Sequence, residues 1–340
     1  MNQTASVTGR VMGTGSYLPE RVVTNDEIAP GMGSNDEWIV SHTGIRSRHF
    51  AANDESSSSL GVKAGERALE AAGVKPEEIG LVLCATSSPD YNNFPSNACL
   101  IQAKLGCTNA GAFDLAAACS GFVYGLEMAR CYLACHPESK VLVIGTEVLS
   151  RCVDWKERTV SMLFGDGAGA VVLAAAPEAE PTPGATILGS DGTGSEFITL
   201  EGGRRQPLAE DIAATTVREM EVGYMKMQGR AVFNFAVKKL DEIVRSLCDK
   251  AGITVDELDL VVPHQANIRI LEAVARRMEL PNEKIYANLE TIGNTSTASI
   301  PLCLDKAVRE GTIKDGMKVA LAGFGAGLTW AGAYIRWPYL

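Results

Sequence analysis

Cys119 is the residue of this sequence whose type and surroundings are best suited to nucleophilic chemistry. It follows an apolar run, residues 112–115, that predicts a buried strand, and it precedes a stretch, 122–133, with the apolar spacing of a helix. The thiol therefore stands where a strand passes into a helix N-terminus, whose unpaired N–H groups favour a thiolate. A cysteine is more often a small buried hydrophobe, so both interpretations stay open on this stretch alone.

The other eight of the nine cysteines fall within apolar patterns, which predicts unreactive buried thiols. An odd number of such cysteines is typical of reduced thiols in the cytoplasm rather than of a disulfide framework. Cys131, Cys135 and His136 have ligand-like spacing, but the two cysteines are expected on an apolar helix face and no second ligand pair completes a tetrahedron. No metal site is therefore predicted.

A cysteine nucleophile needs partners that the fold places beside it. His264 follows a predicted buried strand, 258–263, so it emerges where open α/β sheets bind their ligands; a helix-capping histidine is the alternative. Asn294 lies in a turn before another helix, where an ordinary N-cap is the alternative. The sequence Gly-Phe-Gly-Ala-Gly at 323–327 predicts a turn between two strands, with N–H groups that can approach a substrate oxygen.

Two further stretches have more than one interpretation. Trp38 lies in the first turn of a predicted short helix, for which Asn35 is a possible N-cap. A basic cluster follows at 42–49, and it is either a solvated loop or, together with Trp38, a site for adenine and phosphates. The glycine-rich stretch 164–169 lacks the G-x-G-x-x-G spacing and leads into a strand, so it does not predict a dinucleotide site.

An internal repeat indicates how these residues are positioned. Residues 72–83 match 251–262 with Ala, Gly, Glu, Leu and Val identical, and in both copies a helix ends at Ala-Gly before a buried strand. The chain is therefore predicted to consist of two similar α/β halves, with a Pro/Glu-rich linker at 177–184. The stretch 202–228 is weakly patterned and is expected to be a long excursion.

Composition narrows the class of protein. The chain has 340 residues, 46% of them hydrophobic, a net charge of −10, and no run of 18 apolar residues. We expect a protein without a membrane span or secretory signal, and one that does not bind nucleic acid in general.

Five motifs together resemble the β-ketoacyl-acyl carrier protein synthase III family, the initiating condensing enzymes of bacterial fatty acid synthesis. They occur in the family's order over nearly the whole chain, at 117–122, 164–169, 264–269, 293–296 and 323–327. The resemblance implies an α/β thiolase-like fold of five αβαβα layers made of two duplicated halves. Residues 1–176 would contain the nucleophilic cysteine, and residues 185–340 the catalytic histidine and asparagine.

The family's chemistry assigns roles to these residues. Cys119 would take the acyl group from an acyl-CoA, and malonyl-acyl carrier protein would then lose CO2 and attack the acyl-cysteine. His264 and Asn294 would donate hydrogen bonds to the malonyl thioester oxygen, a kind of contact worth about 3–4 kcal/mol of barrier per donor. The turn at Gly325 and Ala326 would hold the acyl oxyanion. The resemblance implies an acyltransferase that needs no resident cofactor, because coenzyme A enters as a substrate thioester.

The resemblance also implies binding surfaces. Phe94 would cap the acyl pocket of the partner in a cytoplasmic homodimer, and would favour an acetyl-sized primer. Arg269, Arg276 and Arg277 would dock the acidic carrier protein. The remaining implied contacts are those with coenzyme A: Trp38 and Arg158 at the adenine, and Gly229, Phe233, Ala266 and Asn267 along the pantetheine channel.

Two other functions stay open from the sequence. One is a secondary-metabolite relative, such as a quinolone or polyketide starter enzyme, that uses the same Cys/His/Asn set. The chain departs from the family's usual residues at His42, Asn234 and Ala326, all outside that set. The other is a non-catalytic carrier-binding subunit of a larger synthase, which the presence of Cys119 disfavours.

Overall fold

The computed structural model of the chain describes residues 9–176, 185–202 and 222–340. Strands and helices alternate along much of this length, as the apolar patterns predicted. The strands are β1 (Gly9–Tyr17), β2 (Arg21–Thr24), β3 (Ser47–Phe50), β4 (Ile79–Ala85), β5 (Gly111–Leu115), β6 (Lys140–Glu147), β7 (Gly167–Ala175), β8 (Ala185–Ser190), β9 (Ile198–Gly202), β10 (Val222–Met227), β11 (Leu260–Pro263), β12 (Lys318–Gly325) and β13 (Thr329–Arg336). The helices are α1 (Asn25–Ile28), α2 (Asp36–Thr43), α3 (Ser57–Ala72), α4 (Asn97–Leu105), α5 (Gly121–Cys135), α6 (Arg158–Ser161), α7 (Gly229–Ala251), α8 (Ile268–Met278), α9 (Leu289–Ile292) and α10 (Ser299–Arg309).

Two mixed sheets form the frame of the molecule. One has five strands in the order β1-β7-β6-β4-β5, and the other has four in the order β11-β12-β13-β8. In each sheet parallel pairs, such as β4 with β6 and β11 with β12, lie beside antiparallel ones. Strands β4, β6, β11 and β12 are buried along almost their whole length, which explains their continuous apolar sequences.

The sheets and helices stack in five layers. Helices α3 and α4 cover the outer face of the five-stranded sheet, and α7, with α8 packed beside it, covers the outer face of the other sheet. Helices α5 and α10 lie between the sheets, where their apolar side chains join those of both sheets in one core. The αβαβα fold expected from the sequence is confirmed.

The internal repeat corresponds to the same structure in both halves. Helices α3 and α7 end at Gly73 and Gly252, with φ values of 62° and 68°, a left-handed conformation that glycine adopts without strain. A short 3-10 turn follows each glycine, and then comes β4 or β11. The two halves therefore place β4 and β11 in equivalent positions.

Two sequence expectations concern the less regular segments. The linker at 177–184 and residues 203–221 lie outside the described residues. The end of the expected excursion is instead a strand, because Val222–Met227 pairs antiparallel with Ile198–Gly202. The alternation of apolar and polar residues in this short stretch is too weak to predict a strand from the sequence. Its hydrogen bonds with β9 are what define it as a strand.

Strand β5 was expected to be buried, and this was wrong. The five-stranded sheet ends at β5, so one edge and much of its surface face outward. Phe113 in this strand is 44% exposed.

Among the described residues, no helix has both the length and the apolar character required to cross a membrane.

Candidate active site

Cys119 lies in a tight turn between β5 and α5. The turn is a single 3-10 segment, Ala118–Ser120, and α5 begins at Gly121. Ala118 has φ of 44°, an uncommon conformation for a residue with a Cβ, and one that concentrates at functional sites. The predicted position of the cysteine at a strand-to-helix junction is confirmed.

Strand β12 and the following turn hold this segment from the other half of the chain. Ser120 Oγ lies 2.8 Å from the carbonyl oxygen of Ala117 and 2.9 Å from Thr329 Oγ1. A Cβ on Gly325 would lie 2.6 Å from the backbone nitrogen of Cys119, so only glycine allows this approach. The glycine turn identified in the sequence therefore packs directly against the cysteine.

His264 is buried at the carboxyl end of β11 and lines the same cavity as Cys119. Its Nδ1 lies 2.7 Å from Ser299 Oγ, which also accepts a hydrogen bond of 3.4 Å from the backbone N–H of Gln265. Because the Ser299 hydroxyl has no other acceptor for its hydrogen among the described residues, we assign that hydrogen to Nδ1, so the imidazole hydrogen is on Nε2. Burial lowers the pKa of His264 to about 3, so the ring is neutral at physiological pH.

The helix-capping alternative for His264 is wrong. The N-cap of α8 is Asn267, whose Oδ1 accepts from the backbone N–H of Arg269 at 2.8 Å. Asn267 Nδ2 donates to the carbonyl oxygen of His42 at 3.0 Å, which joins α8 to the end of α2. Asn267 lines the cavity as expected, but its polar atoms already have partners within the chain.

Asn294 is fixed from both sides. Its backbone N–H donates to the Leu163 carbonyl at 2.8 Å, and its own carbonyl accepts from Gly165 N–H at 3.0 Å. Its side-chain Oδ1 accepts from the backbone N–H of Ser296 at 2.9 Å, but the N-cap of the following 3-10 turn is Thr295, so the N-cap alternative for Asn294 is wrong. No described residue accepts from Nδ2, which leaves the amide hydrogens of Asn294 to a ligand in the cavity.

A cavity of about 360 Å³ joins the predicted site residues. Its walls are mainly apolar, and Cys119, His264 and Asn294 reach it from three separate segments of the chain. The other predicted residues that line it are Trp38, Gly229, Phe233, Ala266, Asn267, Gly325 and Ala326.

Trp38, which is predicted to hold the adenine of coenzyme A, lies at the edge of this cavity. The Arg158 guanidinium lies over the Trp38 ring, 4.8 Å from its centroid. The His42 ring stacks on Trp38 with the centroids 4.1 Å apart. An adenine can enter between Trp38 and Arg158 only if the arginine side chain moves outward.

Ionisation of Cys119 differs from the expectation. Removal of the thiol from water raises the pKa of Cys119 to about 12, despite its place before a helix. Nearby Glu147 also raises this pKa, whereas the Ser296 hydroxyl lowers it. The free thiol is therefore protonated near neutral pH, and the expected favouring of the thiolate by the helix N-terminus is outweighed by desolvation.

Two polar residues near Cys119 were missed in the sequence. Glu147 ends β6 and is fully buried, and Ser296, with φ of 47°, starts the turn that packs against Ala118–Ser120. A charged residue at the end of an otherwise apolar strand, residues 140–147, was the available signal for Glu147. Ser296 gave no signal beyond its place two residues after Asn294.

The remaining predicted residues lie away from the cavity lining. Phe94 is 85% exposed. Arg269, Arg276 and Arg277 are all exposed on α8, where Arg276 Nη1 lies 4.0 Å from a Glu272 carboxylate oxygen and Arg277 Nε lies 2.8 Å from Asp241 Oδ2.

All nine cysteines are free thiols. Cys99, Cys131 and Cys135 are exposed, so the expectation that the cysteines other than Cys119 all lie in apolar surroundings was wrong for these three. Cys131 and Cys135 are four residues apart in α5, on its solvent-exposed side. Across 9–176, 185–202 and 222–340, no three His, Cys, Asp or Glu side chains are grouped to hold a metal ion.

Two family profiles match this chain. Residues 113–192 match 3-oxoacyl-[acyl-carrier-protein (ACP)] synthase III, and residues 248–337 match its C-terminal part. The protein from Synechocystis sp. called beta-ketoacyl-[acyl-carrier-protein] synthase III is 46% identical over 329 residues, which cover 96% of this chain and 98% of the relative.

Solved structures of similar proteins share the fold. The 3-oxoacyl-(acyl carrier protein) synthase III of Pseudomonas aeruginosa superposes with a TM-score of 0.86 at 40% identity, covering 97% of this chain and 98% of that one. The priming β-ketosynthase of the R1128 polyketide biosynthetic pathway gives a TM-score of 0.84 at 39% identity, with 98% of each chain covered.

Proposed function

We propose that this chain, which belongs to the β-ketoacyl-[acyl-carrier-protein] synthase III family, condenses an acyl-CoA primer with malonyl-acyl carrier protein through an acylated Cys119. As a member of that family it is an acyltransferase. The observation that supports these residue roles most strongly is the meeting of Cys119, His264 and Asn294 at one apolar cavity. Each comes from a different segment, so their proximity is a property of the fold and not of the sequence.

In the first step, Cys119 sulfur attacks the acyl-CoA carbonyl, coenzyme A leaves, and an acyl-cysteine remains. The backbone N–H of Cys119 and that of the turn at Ala326 are placed to receive the negative oxygen of the tetrahedral intermediate. The close approach of Gly325 to the Cys119 nitrogen supports this placement. The acyl group then stays on Cys119, in a site that excludes most water, until the second substrate binds.

In the second step, malonyl-acyl carrier protein loses CO2 and its carbanion attacks the acyl-cysteine. The neutral His264 donates from Nε2, and Asn294 donates from Nδ2, to the thioester oxygen on which the enolate charge develops. The hydrogen bond of Nδ1 to Ser299 and the hydrogen bond of Asn294 Oδ1 to Ser296 support these donor directions. A neutral donor is suitable here because it stabilises the enolate without protonating it.

Coenzyme A lies along the cavity in this mechanism. Trp38 and Arg158 hold the adenine by stacking and cation–π contact, and Phe233 and Ala266 line the pantetheine path. The exposed arginines of α8 provide a positive surface for the acidic carrier protein. Arg269 is the strongest candidate, since Arg276 and Arg277 have acidic neighbours of their own.

The enzyme acts as a homodimer in the cytoplasm, where its nine free thiols stay reduced. The open edge at β5 and three exposed aromatic side chains support a dimer interface on this side of the molecule: Tyr91 at 54%, Phe94 at 85% and Phe113 at 44% exposure. In that dimer Phe94 caps the acyl pocket of the partner, which favours acetyl-CoA as the primer.

The experiment is a condensation assay with purified protein, acetyl-CoA and malonyl-acyl carrier protein, read by mass spectrometry of the carrier. Formation of acetoacetyl-acyl carrier protein, absent with Cys119→Ala, is expected. Decarboxylation of malonyl-carrier without a condensed product for any acyl-CoA in a panel of chain lengths would contradict the proposed reaction.

A starter enzyme of polyketide synthesis is the second candidate, because the priming β-ketosynthase of the R1128 pathway matches this chain as well as the Pseudomonas aeruginosa structure does. The same panel separates the two candidates. Preference for acetyl-CoA supports fatty acid initiation, and preference for larger acyl groups supports a polyketide starter role.

A further inference from the structure

Glu147 is a fully buried carboxylate beside the candidate nucleophile. It receives hydrogen bonds from Ser88 Oγ at 2.6 Å, from Ser87 N–H at 3.0 Å and from Thr297 Oγ1 at 3.2 Å. These partners are uncharged. A carboxylate that is buried with only uncharged hydrogen-bond donors is costly to ionise, which makes it a candidate base for chemistry nearby.

Ser296 connects this carboxylate to the thiol. Its hydroxyl interacts with both the Glu147 carboxylate and the Cys119 sulfur. The turn that Ser296 begins packs against the Ala118–Ser120 turn, and its own backbone N–H is held by Asn294 Oδ1 at 2.9 Å. Ser296 lines the cavity together with Cys119 and Ser87. The order of groups is therefore thiol, hydroxyl, carboxylate.

We propose that Ser296 and Glu147 form a proton relay that activates Cys119 for acyl transfer, a role that rests on the acyl-cysteine chemistry proposed above. As the sulfur attacks the acyl-CoA carbonyl, its proton passes to Ser296 Oγ and the Ser296 hydroxyl proton passes to Glu147. The C–S bond to coenzyme A breaks, the coenzyme A thiolate takes a proton from Ser296 Oγ, and Glu147 returns its proton to Ser296. The products are acyl-Cys119 and free coenzyme A thiol, so atoms and charge balance.

His264 is poorly placed to act as this base. In the tautomer assigned above, its Nδ1 accepts from Ser299 and its Nε2 holds the ring hydrogen. The thiol is protonated near neutral pH, so attack requires an acceptor. Burial raises the pKa of Glu147 above its ordinary value of 4.5, which makes its carboxylate a stronger base than an exposed one.

Other titratable groups surround Glu147. Cys84 on β4, Cys152 after β6 and Cys119 itself each have a pKa that Glu147 raises, besides the effect of burial. These three thiols stay protonated at neutral pH, and Asp166, which is also buried, is the further acid acting on Cys152. A pH profile of Cys119 acylation must therefore be compared with a variant that alters a different buried carboxylate.

The test follows acetyl transfer from acetyl-CoA to Cys119 by quenched intact-mass analysis between pH 5 and pH 9, without malonyl donor. The wild-type rate is expected to rise as Glu147 loses its proton and then to level off. Glu147→Gln and Ser296→Ala are each expected to be about 100-fold slower at neutral pH, with a rate that increases about tenfold per pH unit. Glu147→Asp should regain part of the rate, because a carboxylate remains.

Asp166→Asn is the matched control, since Asp166 is a buried carboxylate that accepts from Ser150 and Ala51 rather than facing the thiol. Asp166→Asn should retain the wild-type shape of the pH profile for Cys119 acylation. Circular dichroism measures any effect of this substitution on folding. Wild-type rates and profiles in Glu147→Gln and in Ser296→Ala would overturn the relay. A wild-type protein that no acyl-CoA labels would overturn the acyl-cysteine function itself, and the relay with it.

Discussion

His264 is held as a neutral hydrogen-bond donor by two features of its surroundings. Ser299 fixes the hydrogen on Nε2, and burial lowers the pKa of His264 from 6.5 to about 3. A depressed pKa means that the neutral ring persists from high pH down to well below neutrality. The residue is therefore equipped to stabilise a developing oxyanion and not to shuttle a proton near pH 7.

Replacement of His264 should separate the two steps. We expect His264→Ala to lose about 100- to 1,000-fold in condensation, because a preorganised donor is removed from the enolate. Labelling of Cys119 by acetyl-CoA should change by less than tenfold. His136→Ala, at an exposed histidine after α5, is the control. Equal losses in both steps would show that His264 acts in acyl transfer instead. Between pH 5 and pH 8 no step in the rate should arise from titration of His264.

A substitution at Gly325 tests whether acylation depends on the close approach of this residue to Cys119. Gly325→Ala places a Cβ 2.6 Å from the Cys119 backbone nitrogen, so the turn must move. We expect acylation to fall by at least about tenfold and the free energy of unfolding to drop by about 1–3 kcal/mol. Gly192→Ala is the control, because no atom lies within 4 Å of its added Cβ. Unchanged acylation kinetics in Gly325→Ala would contradict the assigned turn.

Residue types predicted much of the site, and packing decided the rest. Cys119, His264 and Asn294 stand at junctions of strands, turns and helices, which the sequence displays directly. The ionisation of Cys119 could not be predicted, because it depends on removal from water by residues distant in sequence. The same holds for Glu147, whose hydrogen-bond donors lie about 60 residues before it and 150 after it.

At the scale of elements, helix α8 lies between the cavity, which its first turn lines, and the surface. Its N-cap, Asn267, contacts the carbonyl of His42 at the end of α2, and its buried residues, such as Leu271 and Val274, pack into the outer core. Arg269 and Arg276 are seven residues apart on this helix, so they lie on one face, and both are exposed. The helix therefore places positive charge near the cavity.

Reversal of charge on α8 should impair carrier binding alone. We expect Arg269→Glu to raise KM for malonyl-acyl carrier protein about tenfold, with the effect reduced in high salt, because exposed charges are screened. Self-acylation by acetyl-CoA should stay within twofold of wild type. Lys75→Glu, exposed in the loop after α3 on the opposite outer layer, is the control. An equal KM change in both variants would argue against docking at α8.

Elements were well predicted where apolar periodicity was strong. Helix α5, Gly121–Cys135, contains the whole stretch 122–133 that was predicted as a helix, and α3 ends at Gly73 as the internal repeat predicted. Strand β10 was missed because its pairing with β9 is what orders it. The edge position of β5 could not be predicted either, since an apolar run does not reveal how many strands flank it.

At the scale of the whole molecule, two duplicated halves bury a shared middle layer. Helices α5 and α10 each pack on a sheet of the other half as well as their own, so the halves form one core. Cys119 reaches the cavity from one half and His264 and Asn294 from the other. The site is therefore complete only when the two halves are packed together.

The exposed aromatic surface around β5 predicts a dimer. We expect wild-type protein to sediment as a dimer, and Phe113→Lys to shift it toward monomer, because a charge replaces a 44% exposed aromatic on an open sheet edge. Val22→Lys, at a 51% exposed residue of β2, should remain dimeric. A wild-type monomer at micromolar concentration would refute the proposed interface.

The most direct measurement is the intact mass of the protein after brief exposure to a panel of acyl-CoAs, with peptide mapping of the labelled cysteine. The exposed thiols of Cys99, Cys131 and Cys135 make the mapping necessary. We predict one added acetyl group on Cys119, formed with acetyl-CoA and lost in Cys119→Ala. Labelling that persists in Cys119→Ala, or no labelling by any member of the panel, would contradict the assignment of Cys119 as the nucleophile.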